Sequence, residues 1–389
     1  MKRRMAKAAC GIIAGLYLLT LAGGAAGSAQ DLASQTVDLT NIKKIAVLTH
    51  SYSSEYWGYA VQGCKAYDQS DTDIVIEVQE PSGSIAADEQ IVMLQSDLES
   101  GRFDGFVIAA IDRSRVEAIL SNVDVPVIAI NSPLSGACVI GGIGTDNETA
   151  AAAGGKKAAE MAKTLGWEKP ECVMISGFET EYNNENRTKG FRSGIENAEG
   201  VWLDAVYPTD KSGDGAREAM RQIMKDYPDG IAVVACYNDL LASNALEEAV
   251  DNPAFANTVF LGFDGNGTIC ERIMNDERYV NMVTVAQNPY EMGFHAVEQM
   301  SQYLLMQEQQ AQIKEDAAAR EDGTDPSGEG TDRSGGRGSE ALSGEGEPDS
   351  GPADGSSEAE PDSWIDSGYA VITSANAQER MLQIKSHLS

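Results

Sequence analysis

Short apolar runs alternate with amphipathic stretches along most of this chain. Strand-like runs fall at Ile45–Thr49, Ile74–Val78, Gly105–Ala109 and Val127–Ile130. Between them, Tyr56–Tyr67, Ala87–Leu98 and Arg113–Leu120 carry apolar residues at helical spacing. A second cycle follows. Its helices are the Ala-rich Glu148–Leu165, then Glu185–Glu199, Asp214–Tyr227, Asp239–Val250 and Gly267–Asn275. Its strands are Cys172–Ser176, Trp202–Tyr207, Ile231–Ala235, Val259–Gly262 and Asn281–Val285. Pro289–Gln307 reads as a long amphipathic helix, Trp364–Ile372 as a last strand and Gln378–Leu388 as a short final helix. Strict strand–helix alternation predicts an α/β protein built on parallel sheets. The strands are too many for one short sheet, so two doubly wound lobes of similar size are expected. An eight-fold barrel is the rival, disfavoured by the strand count and the weak symmetry of the halves.

Two segments depart from this rhythm. Residues 311–362 are Gly, Ser, Glu, Asp and Pro with almost no large apolar side chains. Such a segment cannot bury enough surface to offset ordering entropy, which predicts a disordered acidic insertion. At the other end, Lys2, Arg3, Arg4 and Lys7 precede an apolar run from Ala8 to Leu21 and then small residues. That is the plan of a secretory signal covering residues 1–29, with cleavage near Ala26 to Ala29. The alternative is a membrane anchor, since the run from Ala8 to Ala26 nearly reaches the ~20 residues of a span. Either reading places the body outside the cytoplasm.

Charge narrows the partners. The chain has 389 residues, 42% hydrophobic, with a formal net charge of −31. Residues 311–362 hold fifteen acidic and four basic residues, so a net −11 belongs to that segment. An acidic surface argues against nucleic acid, whose phosphates need a basic face. Outside the leader, Cys64, Cys138, Cys172, Cys236 and Cys270 show no CxxC or metal spacing and read as buried inert thiols. His50, His295 and His387 are far apart in sequence, so no metal site is expected.

The chemistry gathers at the predicted strand ends. In TVFLGFDGNGT (Thr258–Thr268), Asp264 sits where a strand hands over to a helix. In an open parallel sheet, ligands bind outside the carboxyl ends of the strands. A carboxylate there could accept hydrogen bonds from two hydroxyls of a polyol, or it could only cap the next helix. Tyr56 and Trp57 open a helix after the first strand, with Ser53 and Ser54 as candidate caps. Their rings would stack on the C–H face of a sugar, or else belong to the helix core. Asn131-Ser132, Tyr237-Asn238-Asp239 and Ala286-Gln287-Asn288-Pro289 follow other strands. Arg187 falls early in a helix, an unfavourable place for a cation in the helix dipole, so a ligand-binding role is expected. Amides, one carboxylate and one guanidinium, with no nucleophile–base pair, describe a site that reads hydroxyls.

These motifs occur in a recognisable order: KIAVLT with the aromatic pair after it, VPVIAIN, GTDN, RTKGF, YND, LGFDG and VAQNPYEMG. From about Lys43 to Met300, and again near Tyr369–Ile372, the chain resembles the type I periplasmic sugar-binding proteins, the ribose- and galactose-binding branches above all. The resemblance implies two lobes joined by a three-crossover hinge and closing on one sugar. The lobes would be residues 40–145 plus 288–310, and 146–287 plus 367–389, with crossovers near Gly144–Asp146, near Gln287–Asn288 and at Trp364–Ile372. It places ligand contacts on Ser54, Tyr56, Trp57, Asn131, Arg187, Asn238, Asp264 and Gln287, with Ser132 and Asn183 beside them. Asn183 stands where the galactose branch carries an acid. Asn131-Ser132 stands where the ribose branch has an Asp-Arg pair, which argues against ribose itself. The resemblance further implies a monomer with no cofactor that delivers its sugar to an ABC permease. A membrane-tethered sensor reporting to a histidine kinase or chemoreceptor is the alternative. Catalysis is not expected: G-x-G-x-x-G in a first βαβ unit, Walker, G-x-S-x-G and H-E-x-x-H motifs are all absent from the sequence.

Overall fold

A computed structural model describes residues 42–50, 54–68, 74–83, 86–177, 182–321 and 364–387. The expected leader, residues 1–29, and the 322–362 part of the acidic segment lie outside the described residues. In the first half, β1 (Lys43–Leu48), α1 (Glu55–Asp68), β2 (Ile74–Gln79), α2 (Ala87–Ser100), β3 (Gly105–Ile108), α3 (Arg113–Leu120), β4 (Val127–Ile130) and β5 (Val139–Gly144) follow in order. The second half runs α4 (Asn147–Thr164), β6 (Glu171–Ser176), α5 (Tyr182–Asn197), β7 (Val201–Pro208), α6 (Gly213–Asp226), β8 (Val233–Cys236), α7 (Asp239–Ala249), β9 (Val259–Asp264), α8 (Gly267–Asn275) and β10 (Met282–Gln287). The chain closes with α9 (Pro289–Glu321), β11 (Trp364–Asp366), β12 (Tyr369–Ile372) and α10 (Ala377–His387).

The strands form two six-stranded sheets, ordered β11-β5-β4-β3-β1-β2 and β12-β10-β9-β8-β6-β7. Pairing is parallel throughout, except that β12 runs antiparallel to β10. Each sheet is apolar on both faces because helices cover both, which is why β1, β3, β4 and β8 read as unbroken apolar runs. In the first lobe, Ile45, Val47, Ile128 and Ile130 face α1 and α9, while Ala46, Leu48, Phe106 and Ile108 pack with Ile91, Leu94, Val116 and Leu120 of α2 and α3. The second lobe has one continuous core. Side-chain caps start its helices cleanly: Asp146, Ser212, Asn238 and Asn266 each accept a backbone N–H from the first turn, worth about 1 kcal/mol apiece.

Among the described residues the chain passes between the sheets three times: from β5 to α4, from β10 to α9, and from β11 to β12. The three passages are bonded to one another. Ser367 donates its N–H to the Gly144 carbonyl at 2.7 Å, and Asn288 Nδ2 donates to the Ser367 carbonyl at 2.8 Å. Thr145 and Ser367 hydroxyls lie 3.2 Å apart. The linkers are therefore hydrogen-bonded to one another as one strap.

Three sequence expectations need correction. Trp364–Ile372 is two strands in different sheets, broken at Ser367-Gly368, with Gly368 at φ 74°. The last long helix does not stop near Gln307. It runs to Glu321 and takes in the first residues of the segment expected to be disordered. Those residues, QAQIKEDAAAR, are exposed but strong helix formers, and Gln312 pairs with Asp316 one turn on. Finally, β5 was not anticipated, because VIGGIG carries three glycines and glycine weakens a strand. The glycines make room. A Cβ on Gly142 would lie 2.6 Å from the Trp364 ring, and one on Gly144 would lie 2.5 Å from it.

Gly142→Val should therefore push Trp364 off β5 and loosen the β11 edge of the first sheet. We expect a loss of about 1–3 kcal/mol, the usual cost of overpacking a tight contact, read as a lowered Tm in calorimetry. Shrinking the ring with Trp364→Leu in the same chain should recover part of it.

Candidate functional site

The polar groups at the strand ends converge between the two lobes. Tyr56 enters from the first turn of α1 and is buried. Its hydroxyl lies 2.9 Å from Asn131 Oδ1 and 3.4 Å from Gln287 Oε1. Asn131 follows β4 directly and holds φ at 71°, a left-handed conformation that Asn tolerates better than most residues. Gln287 ends β10 at one of the crossovers. Its Nε2 donates to Asp264 Oδ1 at 2.8 Å. Arg187 Nη1 stands 4.0 Å from the same oxygen.

Arg187 is only 3% exposed and is tied from several sides. Nε donates to Asn147 Oδ1 at 2.8 Å, and Nη1 donates to the Tyr237 carbonyl at 3.0 Å. Its guanidinium carbon sits 3.9 Å from the centre of the Phe263 ring and 4.7 Å from that of Tyr237. Asn147 Nδ2 also reaches Asn183 Oδ1 at 3.3 Å. A continuous polar line thus runs from Tyr56 in the first lobe, through Gln287 and Asp264, to Arg187, Asn147 and Asn183 in the second.

Burial sets the electrostatics. It pushes the Asp264 carboxyl up to about 6, against the opposing pull of Arg187 and the Gln287 hydrogen bond. Asp239 lies deeper and is raised further, first by burial and then by Asp264. It accepts Thr284 Oγ1 at 2.6 Å and the Gly265 N–H at 2.7 Å. Burial, then the Asp264 charge, likewise holds the Tyr56 phenol in its neutral form. Above about pH 6 the site sets one guanidinium against one ionised carboxylate, so that pair carries little net charge.

The other expected residues divide. Asp264 is not the cap of α8; Asn266 fills that role, accepting the Ile269 N–H. Asn238 does cap a helix: its Oδ1 accepts the Leu241 N–H at 3.1 Å. Ser132 is half-buried beside Asn131, their side chains 3.5 Å apart. Ser54 is half-buried and its carbonyl accepts the Gly58 N–H at 2.9 Å, while Ser53 lies outside the described residues. Trp57 is 7% exposed and packs in the first lobe's core. One of its faces is covered by His50, with ring centroids 4.4 Å apart and planes within 16°. This fits the helix-core alternative for Trp57 and leaves His50 as an aromatic group the sequence did not flag. Asn147, Asp239 and Phe263 were likewise not singled out as site residues. Asn147 belongs to the GTDN motif, which was the available signal.

The lobes also meet at the cleft edges. Both carboxylate oxygens of Glu55, in the first lobe, lie 3.2 Å from the Thr268 N–H at the start of α8. A carboxylate is favourable at a helix N-terminus. On another edge, the Arg113 guanidinium lies over the Tyr182 ring at 5.5 Å. The five cysteines among the described residues are buried free thiols.

A family model described as a periplasmic binding protein domain matches residues 45–308. No curated protein matches the chain. Solved structures share the fold. An ABC transporter solute binding protein from Mycobacterium smegmatis, with bound glycerol, is 17% identical at a TM-score of 0.62, covering 87% of this chain and 96% of its own. A periplasmic solute binding protein from Actinobacillus succinogenes with bound D-allose is 15% identical at 0.63, covering 87% and 99%. The glucose-galactose binding protein GanP from Geobacillus stearothermophilus is 21% identical at 0.60, covering 68% and 91%.

The raised Asp264 carboxyl has a consequence for stability. The folded chain keeps this proton up to about pH 6, whereas a free aspartate loses it near 3.8. Between those values the folded state binds more protons than the unfolded one, so stability falls as pH rises through the window. Asp264→Asn removes the titration. The variant should exceed wild type at pH 7 by about 3 kcal/mol, and the gap should shrink to well under about 1 kcal/mol by pH 4. Denaturant unfolding at both pH values checks this; a gap that is unchanged with pH would contradict it.

Proposed function

The chain belongs to the periplasmic binding protein domain family, and from that premise we propose that it is an extracytoplasmic receptor for an uncharged sugar, held between the lobes and delivered to an ABC importer. The observation that carries the reading is the convergence of Tyr56, Asn131, Gln287, Asp264 and Arg187 in one cleft between two hinged sheets. Hydroxyl-rich neutral ligands need donors and acceptors on adjacent positions, and amides supply both. A guanidinium beside a carboxyl near charge balance leaves little net attraction for an ion. The bound glycerol and D-allose in two relatives of the same fold support a small polyol or monosaccharide.

In this reading Asp264 accepts ligand hydroxyls through Oδ2, which has no hydrogen-bond partner among the described residues. Arg187 donates from Nη2, and Asn131 from Nδ2, since its Oδ1 is taken by Tyr56. Asn183 and Asn147 hold Arg187 in place. His50 is the outer ring of the stack, with Trp57 behind it in the core, and Ser54, Ser132 and Asn238 stand at the rim. Closure is a population shift: the ligand favours the state in which both lobes contact it. Output to an importer follows the relatives' descriptions as ABC transporter proteins. The sensor alternative keeps the same site and differs only in the partner and in whether residues 8–26 remain as a tether.

A thermal-shift screen of pentoses, hexoses and polyols, followed by titration calorimetry, tests this. A ligand at 100 times its Kd adds about 2.7 kcal/mol of stability. Arg187→Ala and Asp264→Ala each remove buried partners worth about 1–3 kcal/mol, so affinity should fall by roughly 5- to 150-fold in a chain that still folds. If both variants bind like wild type, the ligand does not sit in this cleft.

A further inference from the structure

Arg380 is the least expected charge in the molecule. It lies in the first turns of α10, the last helix, and is only 6% exposed. Buried arginines usually meet a carboxylate, because an uncompensated charge away from water is costly. Arg380 meets none among its partners. Nε donates to the Gly265 carbonyl at 3.2 Å, and Nη2 donates to the Gln287 carbonyl at 2.5 Å. Nη1 donates to Asn288 Oδ1 at 3.2 Å and to Gln383 Oε1 at 2.8 Å. All four acceptors are uncharged.

Two of those acceptors adjoin site residues. Gly265 follows Asp264, and Gln287 is itself the partner of the Asp264 carboxyl. The Asp264–Gly265 turn has an uncommon backbone, with Asp264 at φ 118° and Gly265 at φ 59°. Gly265 also lies against β10, where a Cβ would stand 2.3 Å from Ala286 Cα. Backbone in such regions persists only when its surroundings hold it. Here they hold it from both sides: Asp239 takes the Gly265 N–H and Arg380 takes the Gly265 carbonyl. The same guanidinium reaches Asn288, whose Nδ2 donates to the Ser367 carbonyl in the β11–β12 passage.

We infer that Arg380 is a positioning residue of the cleft, clamping the Asp264–Gly265 turn to the Gln287–Asn288 crossover so that ligand affinity depends on a helix lying behind the ligand. The inference rests on the cleft being the carbohydrate site. A planar fork fits this task and an ammonium does not, because one Lys Nζ cannot span four acceptors set around a guanidinium.

The test must separate positioning from simple anchoring of α10. Ile384 is buried on the same helix and touches neither segment by hydrogen bond, so Ile384→Ala serves as the comparison. In the full chain, Arg380→Met should weaken binding of the sugar that stabilises wild type by about ten-fold or more. Ile384→Ala should leave the Kd within about two-fold despite its own drop in Tm. Arg380→Lys should stay closer to Arg380→Met than to wild type. A second measurement needs no ligand: hydrogen exchange of the 264–268 peptide should speed up in Arg380→Met and stay unchanged in Ile384→Ala. Equal effects of the two variants on both measurements, or an unaltered Kd and exchange rate in Arg380→Met, would overturn the inference. If wild type binds no sugar in the panel, the functional reading fails, and the exchange comparison alone decides whether the clamp exists.

Discussion

The cleft is organised by the difficulty of keeping charge away from water. Asp264 and Asp239 are two carboxyls in one buried region, and Arg187 is the cation that faces them. At 4.0 Å, Arg187 offsets Asp264 without forming a tight bidentate pair. The carboxyl is left raised, near 6, with Gln287 as its direct partner. A closer ion pair would satisfy both groups and leave little for a ligand to add. The looser arrangement leaves donor and acceptor positions that suit the hydroxylated ligand of the proposed function. Stereospecificity would follow from the same fact, since a wrong epimer leaves one of these buried groups unpaired at about 1–3 kcal/mol.

The parallel sheets explain why these groups meet at all. Each strand delivers its carboxyl end to the same edge, so Asn131 after β4, Tyr237 after β8, Asp264 at the end of β9 and Gln287 at the end of β10 arrive together. Residues more than a hundred positions apart in sequence become neighbours through strand order alone. The aromatic rings behind the edge matter as well. Phe263 and Tyr237 lie against the Arg187 guanidinium, which keeps the cation desolvated yet attracted.

Much of this was legible from the apolar and polar pattern. Strand–helix alternation identified two lobes, and Asn131, Asp264 and Gln287 stand at strand ends as their local sequence predicts. What escaped depended on tertiary contact. The strand β5 was hidden by glycines whose purpose is visible only beside Trp364. Trp57 read as either a ligand-stacking ring or helix core, and the His50 ring that covers one of its faces left no mark in the local sequence. The α9 extension was masked by composition: an acidic, Gly-rich neighbourhood hid an Ala-, Gln- and Glu-rich run of strong helix formers. Arg380 carried no local signal, since nothing in QERML announces a guanidinium that reaches back to Gly265 and Gln287.

Gln287 joins recognition to motion. It belongs to the proposed site, bonded to Asp264 and near Tyr56, and it is also the last residue of β10 before the chain crosses to α9. Its neighbour Asn288 is tied to Ser367, and Ser367 to Gly144, so all three passages share a hydrogen-bonded strap. On the proposed reading, a ligand held by Gln287 would bear directly on this strap. On that reading affinity and closure are coupled, because a residue that would touch the ligand adjoins a hinge passage.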